Sequence, residues 1–162
     1  MNLRARALAL TGTALAAGLA TTLAPAPARA AVQVDCSKGP VVLAESTETY
    51  ALTGACGEVT VTGSNVVVTL ASATTITVRG SNDRIVVAGK VGRVRLLAAN
   101  DHLTARSGTL VKVRGSNNRV VLTRLERVVV RGANNLVRVR KGATAVKVRG
   151  ANNVIRVHRR TR

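Results

Sequence analysis

From residue 59 to 157 apolar side chains take every second position in short runs. Val59/Val61, Ile76/Val78, Val94/Leu96, Val111/Val113, Val128/Val130 and Val146/Val148 share one phase. Shortly after each pair comes a Gly or Ala, then Ser or Ala, then Asn. A second alternation follows: Ile85/Val87, Leu103/Ala105, Val120/Leu122, Val137/Val139 and Ile155/Val157. Alternation over four or five residues, bounded by turn residues, predicts half-buried strands. Each unit therefore reads as strand, turn, strand, and a connection of about six residues ("AGKVGR", "RKGATA") with Gly or charge in it.

The units repeat. Their turn markers begin at Gly63, Gly80, Ala98, Gly115, Gly132 and Gly150, 17 or 18 residues apart, and residues 46–54 form a degenerate earlier copy. Two architectures accept such a period. In an antiparallel sandwich or barrel each unit is a hairpin. In a parallel β-solenoid each unit is one coil, and coils stack about 4.8 Å apart. The identity of residues from copy to copy favours the solenoid, because only there does each residue rest on its own copy. Six coils would span roughly 29 Å. Asn65, Asn82, Asn100, Asn117, Asn134 and Asn152 would then stack at one turn, their amides bonding to one another and to the turn backbone. The Gly would supply the backbone freedom of the bend.

The first 30 residues stand apart. "MNLRAR" is basic, "ALALTGTALAAGLATTLA" is apolar, and Ala28-Arg29-Ala30 is a small-x-small cleavage site. This order predicts a removed signal peptide. A membrane anchor fits less well, because the stretch is weakly apolar and broken by Pro25 and Pro27. No span is expected in the mature chain, which is one domain of about 132 residues. Cys36 and Cys56 are its two cysteines. In an exported chain such a pair is expected as a disulfide rather than as two thiols. Without a nearby His the two cannot complete a metal shell, so no metal or other cofactor is expected. Residues 31–58 diverge from the repeat and read as an N-terminal cap held by the disulfide. Residues 59–157 are the solenoid and 158–162 a basic tail.

Composition sharpens this reading. There is one Tyr and no Phe or Trp, so the core must be built from Val, Ile, Leu and Ala. The charge is uneven. Residues 31–78 hold one basic residue, Lys38, against Asp35, Glu45, Glu48 and Glu58. Residues 79–162 hold 21 basic residues against Asp83, Asp101 and Glu126.

The run "LTGACGEVTVTGSNVVV" (residues 52–68), with Cys36 and the later "VRGxNN" units, resembles the actinobacterial domain of unknown function 3060, a family of secreted or lipid-anchored proteins with Gly-Asn repeats and an early Cys pair. The resemblance covers about residues 35–157. It implies a β-helix-like fold and an envelope or extracellular address, and no activity. The very high Arg content departs from the family.

Candidate chemistry is sparse. Asp83 and Asp101 fall at one place in successive coils, as a carbohydrate-active β-helix enzyme would require. The plainer reading is that Asp stands in for the Asn at 118, 135 and 153. No Ser-His-Asp arrangement, nucleophile elbow or phosphate loop is visible, so no catalytic residue is assigned. The basic ladder stands above this background. Outward positions before the Gly form two columns: Thr62, Arg79, Leu97, Arg114, Arg131, Arg149 and Thr60, Thr77, Arg95, Lys112, Val129, Lys147. Arg79, Arg95, Lys112, Arg114, Arg131, Lys147 and Arg149 would form a comb of cations suited to a polyanionic polymer of the envelope or extracellular space. A merely solvated face is the alternative, in a structural envelope protein without a ligand. Nucleic acid is expected to bind only non-specifically, because the chain has almost no aromatics on which bases could stack. A monomer is the simplest assembly.

Overall fold

A computed structural model describes residues 30–159. The expected signal peptide, apart from Ala30, and residues 160–162 of the basic tail lie outside the described residues. Among the described residues no helix is long and apolar enough to cross a membrane. The strands are β1 (Val32–Asp35), β2 (Val41–Leu43), β3 (Thr49–Thr53), β4 (Cys56–Val61), β5 (Val67–Leu70), β6 (Ala73–Val78), β7 (Arg84–Leu96), β8 (His102–Val113), β9 (Arg119–Val130), β10 (Leu136–Val148) and β11 (Val154–Arg159). A 3-10 turn, Cys36–Lys38, follows β1.

Strand pairing is parallel throughout, which selects the solenoid over the antiparallel alternative. Two ladders run along the stack. The face after the turn joins β1, β3 and β5 to the first halves of β7, β8, β9 and β10, and ends on β11. The face before the turn joins β2, β4 and β6 to the second halves of β7 to β10. From β7 onward one long strand crosses the connection and serves both faces, so the expected break there is only a bend.

The stack has about seven turns. Residues 31–58, the N-terminal segment holding the disulfide, join the same stack and add a turn to the six marked by the repeat. They pair in the same parallel register, Val32 opposite Tyr50 and Val41 opposite Val59. Thr47 takes the turn place that Asn holds later, with φ +63°. The Cys36–Cys56 disulfide joins the 3-10 turn to the start of β4, with Cα atoms 4.8 Å apart.

The inward positions are those the alternation marks. Val59, Val61, Ile76, Val78, Val94, Leu96, Val111, Val113, Val128 and Val130 are wholly buried. Small and large residues compensate between layers: Gly108 leaves space into which Leu122 and Leu125 lean, and a Cβ there would meet Leu122 Cδ2 at 2.9 Å and Leu125 Cδ1 at 3.2 Å. Tyr50, only 6% exposed, joins this core, which composition alone builds from Val, Ile, Leu and Ala; elsewhere such interdigitation packs aliphatic layers without a large side chain. Burial fades in the last described turn, where inward Val148 is 39% exposed.

Candidate functional site

The cations of the comb sit outward on the face before the turn. Because Val and Ile occupy alternate inward positions, residues between them must point to solvent. The register confirms the second column: Thr60 lies opposite Thr77, then Arg95, Lys112, Val129 and Lys147. The first column is tied coil to coil by backbone bonds, the N–H groups of Arg79, Arg114, Arg131 and Arg149 donating to Val61, Leu96, Val113 and Val130 carbonyls at 2.8 Å. Lys112 is half-buried; Arg79, Arg95, Arg114, Arg131, Lys147 and Arg149 are exposed.

A third column escapes the sequence reading. Thr75, Arg93, Leu110, Arg127 and Ala145 are in register beside the second column. Arg93 and Arg127 are exposed and belong to the same face. The Gly and charge of the connection read as the end of a strand, whereas β7 and β9 continue through it. With these two residues, a rule emerges. The coils at 93/95/97, 110/112/114, 127/129/131 and 145/147/149 each present two cations and one apolar residue, the apolar one changing column from coil to coil. The earlier coil at 75/77/79 presents only Arg79, and that at 58/60/62 presents Glu58 and two Thr.

Where Leu97 interrupts the first column, the surface dips. Arg79, Arg95, Leu97, Lys112 and Arg114 line a depression of about 370 Å³. Four cations thus surround one apolar floor. Among the described residues, none of the nine cations on this face is held in an ion pair with a carboxylate. Unit charges about 4 Å apart repel by about 1 kcal/mol even in water. Neighbouring rungs of the comb therefore gain from any bound anion. The face after the turn carries fewer cations over the same coils, Arg84, Arg106, Arg119, Arg138, Arg140 and Arg156, interleaved with His102, Val86, Val121 and Leu136. Burial lowers the His102 imidazole below its ordinary value, and Arg84 and Arg119 lower it further.

The expected Asn ladder needs correction by one residue. Asn65, Asn82, Asn100, Asn117, Asn134 and Asn152 do share a place, but as backbone: each has φ between +54° and +62°, the left-handed region that Asn tolerates. Their N–H groups, apart from that of Asn152, donate to the Ser or Ala carbonyl of the following coil, as in Asn82 to Ala99 at 3.1 Å. The side-chain ladder runs through the next residue: Asp83, Asp101, Asn118, Asn135 and Asn153. Asn118 Oδ1 accepts from Asp101 N–H at 2.8 Å, and its Nδ2 donates to Ala98 O at 3.0 Å. The Gly needs correction too. Gly80, Gly115 and Gly132 lack a positive φ; a Cβ on any of them would collide with the carbonyl of the coil before. Close approach, not bending, demands Gly there, whereas Gly150 does take a positive φ, +119°, and supplies the backbone freedom expected of it.

Asp83 and Asp101 are each 1% exposed. They are the aspartates an enzyme reading would use, and their carboxyls are turned into the corner rather than towards a groove. The plainer reading, Asp in an Asn position, matches what the structure shows. Among the described residues no cluster of three His, Cys, Asp or Glu could hold a metal ion.

The chain belongs to the family described as "Protein of unknown function (DUF3060)", whose profile matches residues 46–92 and 113–161. Neither a curated protein nor a solved structure matches it.

Proposed function

We propose that this member of the DUF3060 family is a secreted, non-enzymatic solenoid whose cationic face binds anionic polymers of the envelope or extracellular space: anionic wall polymers, acidic glycans or phospholipid headgroups. The observation that carries the reading is the four-cation depression around Leu97, set in a face whose cations have no carboxylate partners among the described residues. Arg offers two parallel donors to phosphate, sulfate or carboxylate, and repeated rungs let one polymer engage several at once. The Cys36–Cys56 bridge fits an oxidising compartment. The further cations after the turn favour a second reading, in which charge serves solubility alone and the protein is structural.

The test is retention on immobilised heparin and on isolated anionic wall polymer over a range of salt. Binding by the face predicts release that moves to lower salt in Arg114→Gln/Arg131→Gln/Arg149→Gln with an unchanged melting temperature. On a duplex DNA probe, where binding is by phosphate contact only, the salt slope should shrink by roughly 3. Equal retention of parent and triple variant refutes the proposal and leaves the structural reading.

A further inference from the structure

The corner ladder has five side-chain rungs, and two are chemically unlike the rest. In every rung Oδ1 accepts the backbone N–H of the equivalent residue one coil earlier. Asp83 accepts from Val66 at 2.8 Å, Asp101 from Asp83 at 3.1 Å, Asn135 from Asn118 at 2.9 Å and Asn153 from Asn135 at 3.0 Å. The second atom differs. In Asn118, Asn135 and Asn153 it is Nδ2, donating to the carbonyls of Ala98, Gly115 and Gly132 at 3.0, 3.0 and 2.8 Å. In Asp83 and Asp101 it is Oδ2, buried and without a hydrogen-bond partner.

Position shows what Oδ2 faces. A Cβ placed on Gly115 would lie against Ala98 O and 3.0 Å from Asn118 Nδ2; one placed on Gly80 would lie against Gly63 O and 2.8 Å from Asp83 Oδ2. Asp83 Oδ2 thus stands where the amide nitrogen stands in later coils, opposite the Gly63 carbonyl. The same register sets Asp101 Oδ2 opposite the Gly80 carbonyl. An ionised carboxylate would oppose acceptor to acceptor inside a buried corner, which is costly. A proton on Oδ2 turns it into the missing donor.

We propose that Asp83 and Asp101 form a proton-binding pair: as neutral acids they donate from Oδ2 to the Gly63 and Gly80 carbonyls and lock these corners, and loss of the protons loosens this part of the stack. The later corners, closed by Asn, hold at any pH. The surroundings agree. The corner before Asp83 (residues 63–66) and that after Asp101 (Asn117, Asn118) carry no charge. Arg84, His102 and Arg119 flank the pair along the strands, in register with one another on the outer face. Burial pushes the Asp83 carboxyl up against the pull of Val66 N–H. Burial likewise pushes Asp101 up to about 7, against the pull of Asp83 N–H and with a further push from negative Asp83. No cation offsets either burial.

A carboxyl raised on folding stabilises most below its unfolded value, near 3.8, and that stability is lost as pH rises through the folded value, about 7 for Asp101. Thermal unfolding from pH 4 to 9, parent against Asp83→Asn/Asp101→Asn, reads this directly. Parent and variant should melt together near pH 4. By pH 8 the variant, whose amides donate at any pH, should melt higher by roughly 4 °C or more. Identical pH profiles, or a variant that melts lower at pH 8, overturn the proposal. So does a calcium-dependent rise in the parent's melting temperature at pH 8 that the variant lacks, since the oxygens would then hold a cation. If the variant fails to fold, carbon-13 carboxyl titration of the parent decides: a buried Asp titrating near neutrality supports the lock, and all carboxyls titrating near 4 refute it.

Discussion

The first coils and the later ones share a core and differ on the outside. Inward, Val59 and Val61 are as buried as Val128 and Val130. Outward, 58/60/62 reads Glu, Thr, Thr, while 127/129/131 reads Arg, Val, Arg. The early region is tied by a disulfide and by hydroxyl bonds between coils, such as Thr62 Oγ1 to Leu43 O at 3.3 Å and Ser81 N–H to Ser64 Oγ at 3.1 Å. The later region closes its corners with Asn amides and places cations at its outer positions. Folding constrains the inward residues and leaves the outward ones free. Charge gathered on free positions therefore calls for another explanation, and ligand binding supplies one.

Three experiments press on this difference. The largest effect should come from opening the early region. Cys36→Ser/Cys56→Ser frees a loop that closes across 20 residues of sequence, and denaturant unfolding should show a loss of about 3 kcal/mol. Polyanion retention, carried by the later coils, should not change while the chain stays folded. Next comes the corner itself. Gly132→Ala drives a methyl into the Gly115 carbonyl and should cost about 1–3 kcal/mol. Gly57→Ala, whose Cβ would meet nothing within 4 Å, should stay within about 0.5 kcal/mol by the same measurement. Smallest in stability, though not in binding, is extension of the comb. Glu58→Arg/Thr60→Arg gives an early coil two outward cations and leaves the Thr62 bond in place; it should shift melting little while raising the salt needed for release from heparin. Unchanged release would mean that outward charge in this register does not bind.

Much of the fold could be read from the chain, because period two and period 17–18 leave strong marks. The buried pairs keep their phase from coil to coil: Ile76/Val78 and Ile85/Val87 lie inward as their alternation requires. The disulfide followed from there being only two cysteines. What was misplaced has physical reasons. Adjacent polar residues such as Asn117 and Asn118 look alike in sequence, yet one bends the backbone and the other bonds across coils. The aspartates at 83 and 101 marked the second as the side-chain rung. Gly80 and Gly115 resemble flexible turn residues, and only the neighbouring coil reveals that space is what they supply. Arg93 and Arg127 were lost where a bent strand resembles a connection. Thr47, in an Asn place, is what makes the first copy, residues 46–54, degenerate.

The central claim is that position on one face, and not total charge, makes the binding surface. Two triple variants that remove equal charge test it most directly. Arg114→Gln/Arg131→Gln/Arg149→Gln strips the comb; Arg106→Gln/Arg119→Gln/Arg138→Gln strips the face after the turn. Measured as the salt concentration that releases each from heparin, the first should fall well below the parent and the second should stay near it. Equal falls would contradict the claim and return the arginines to the role of solubilising charge.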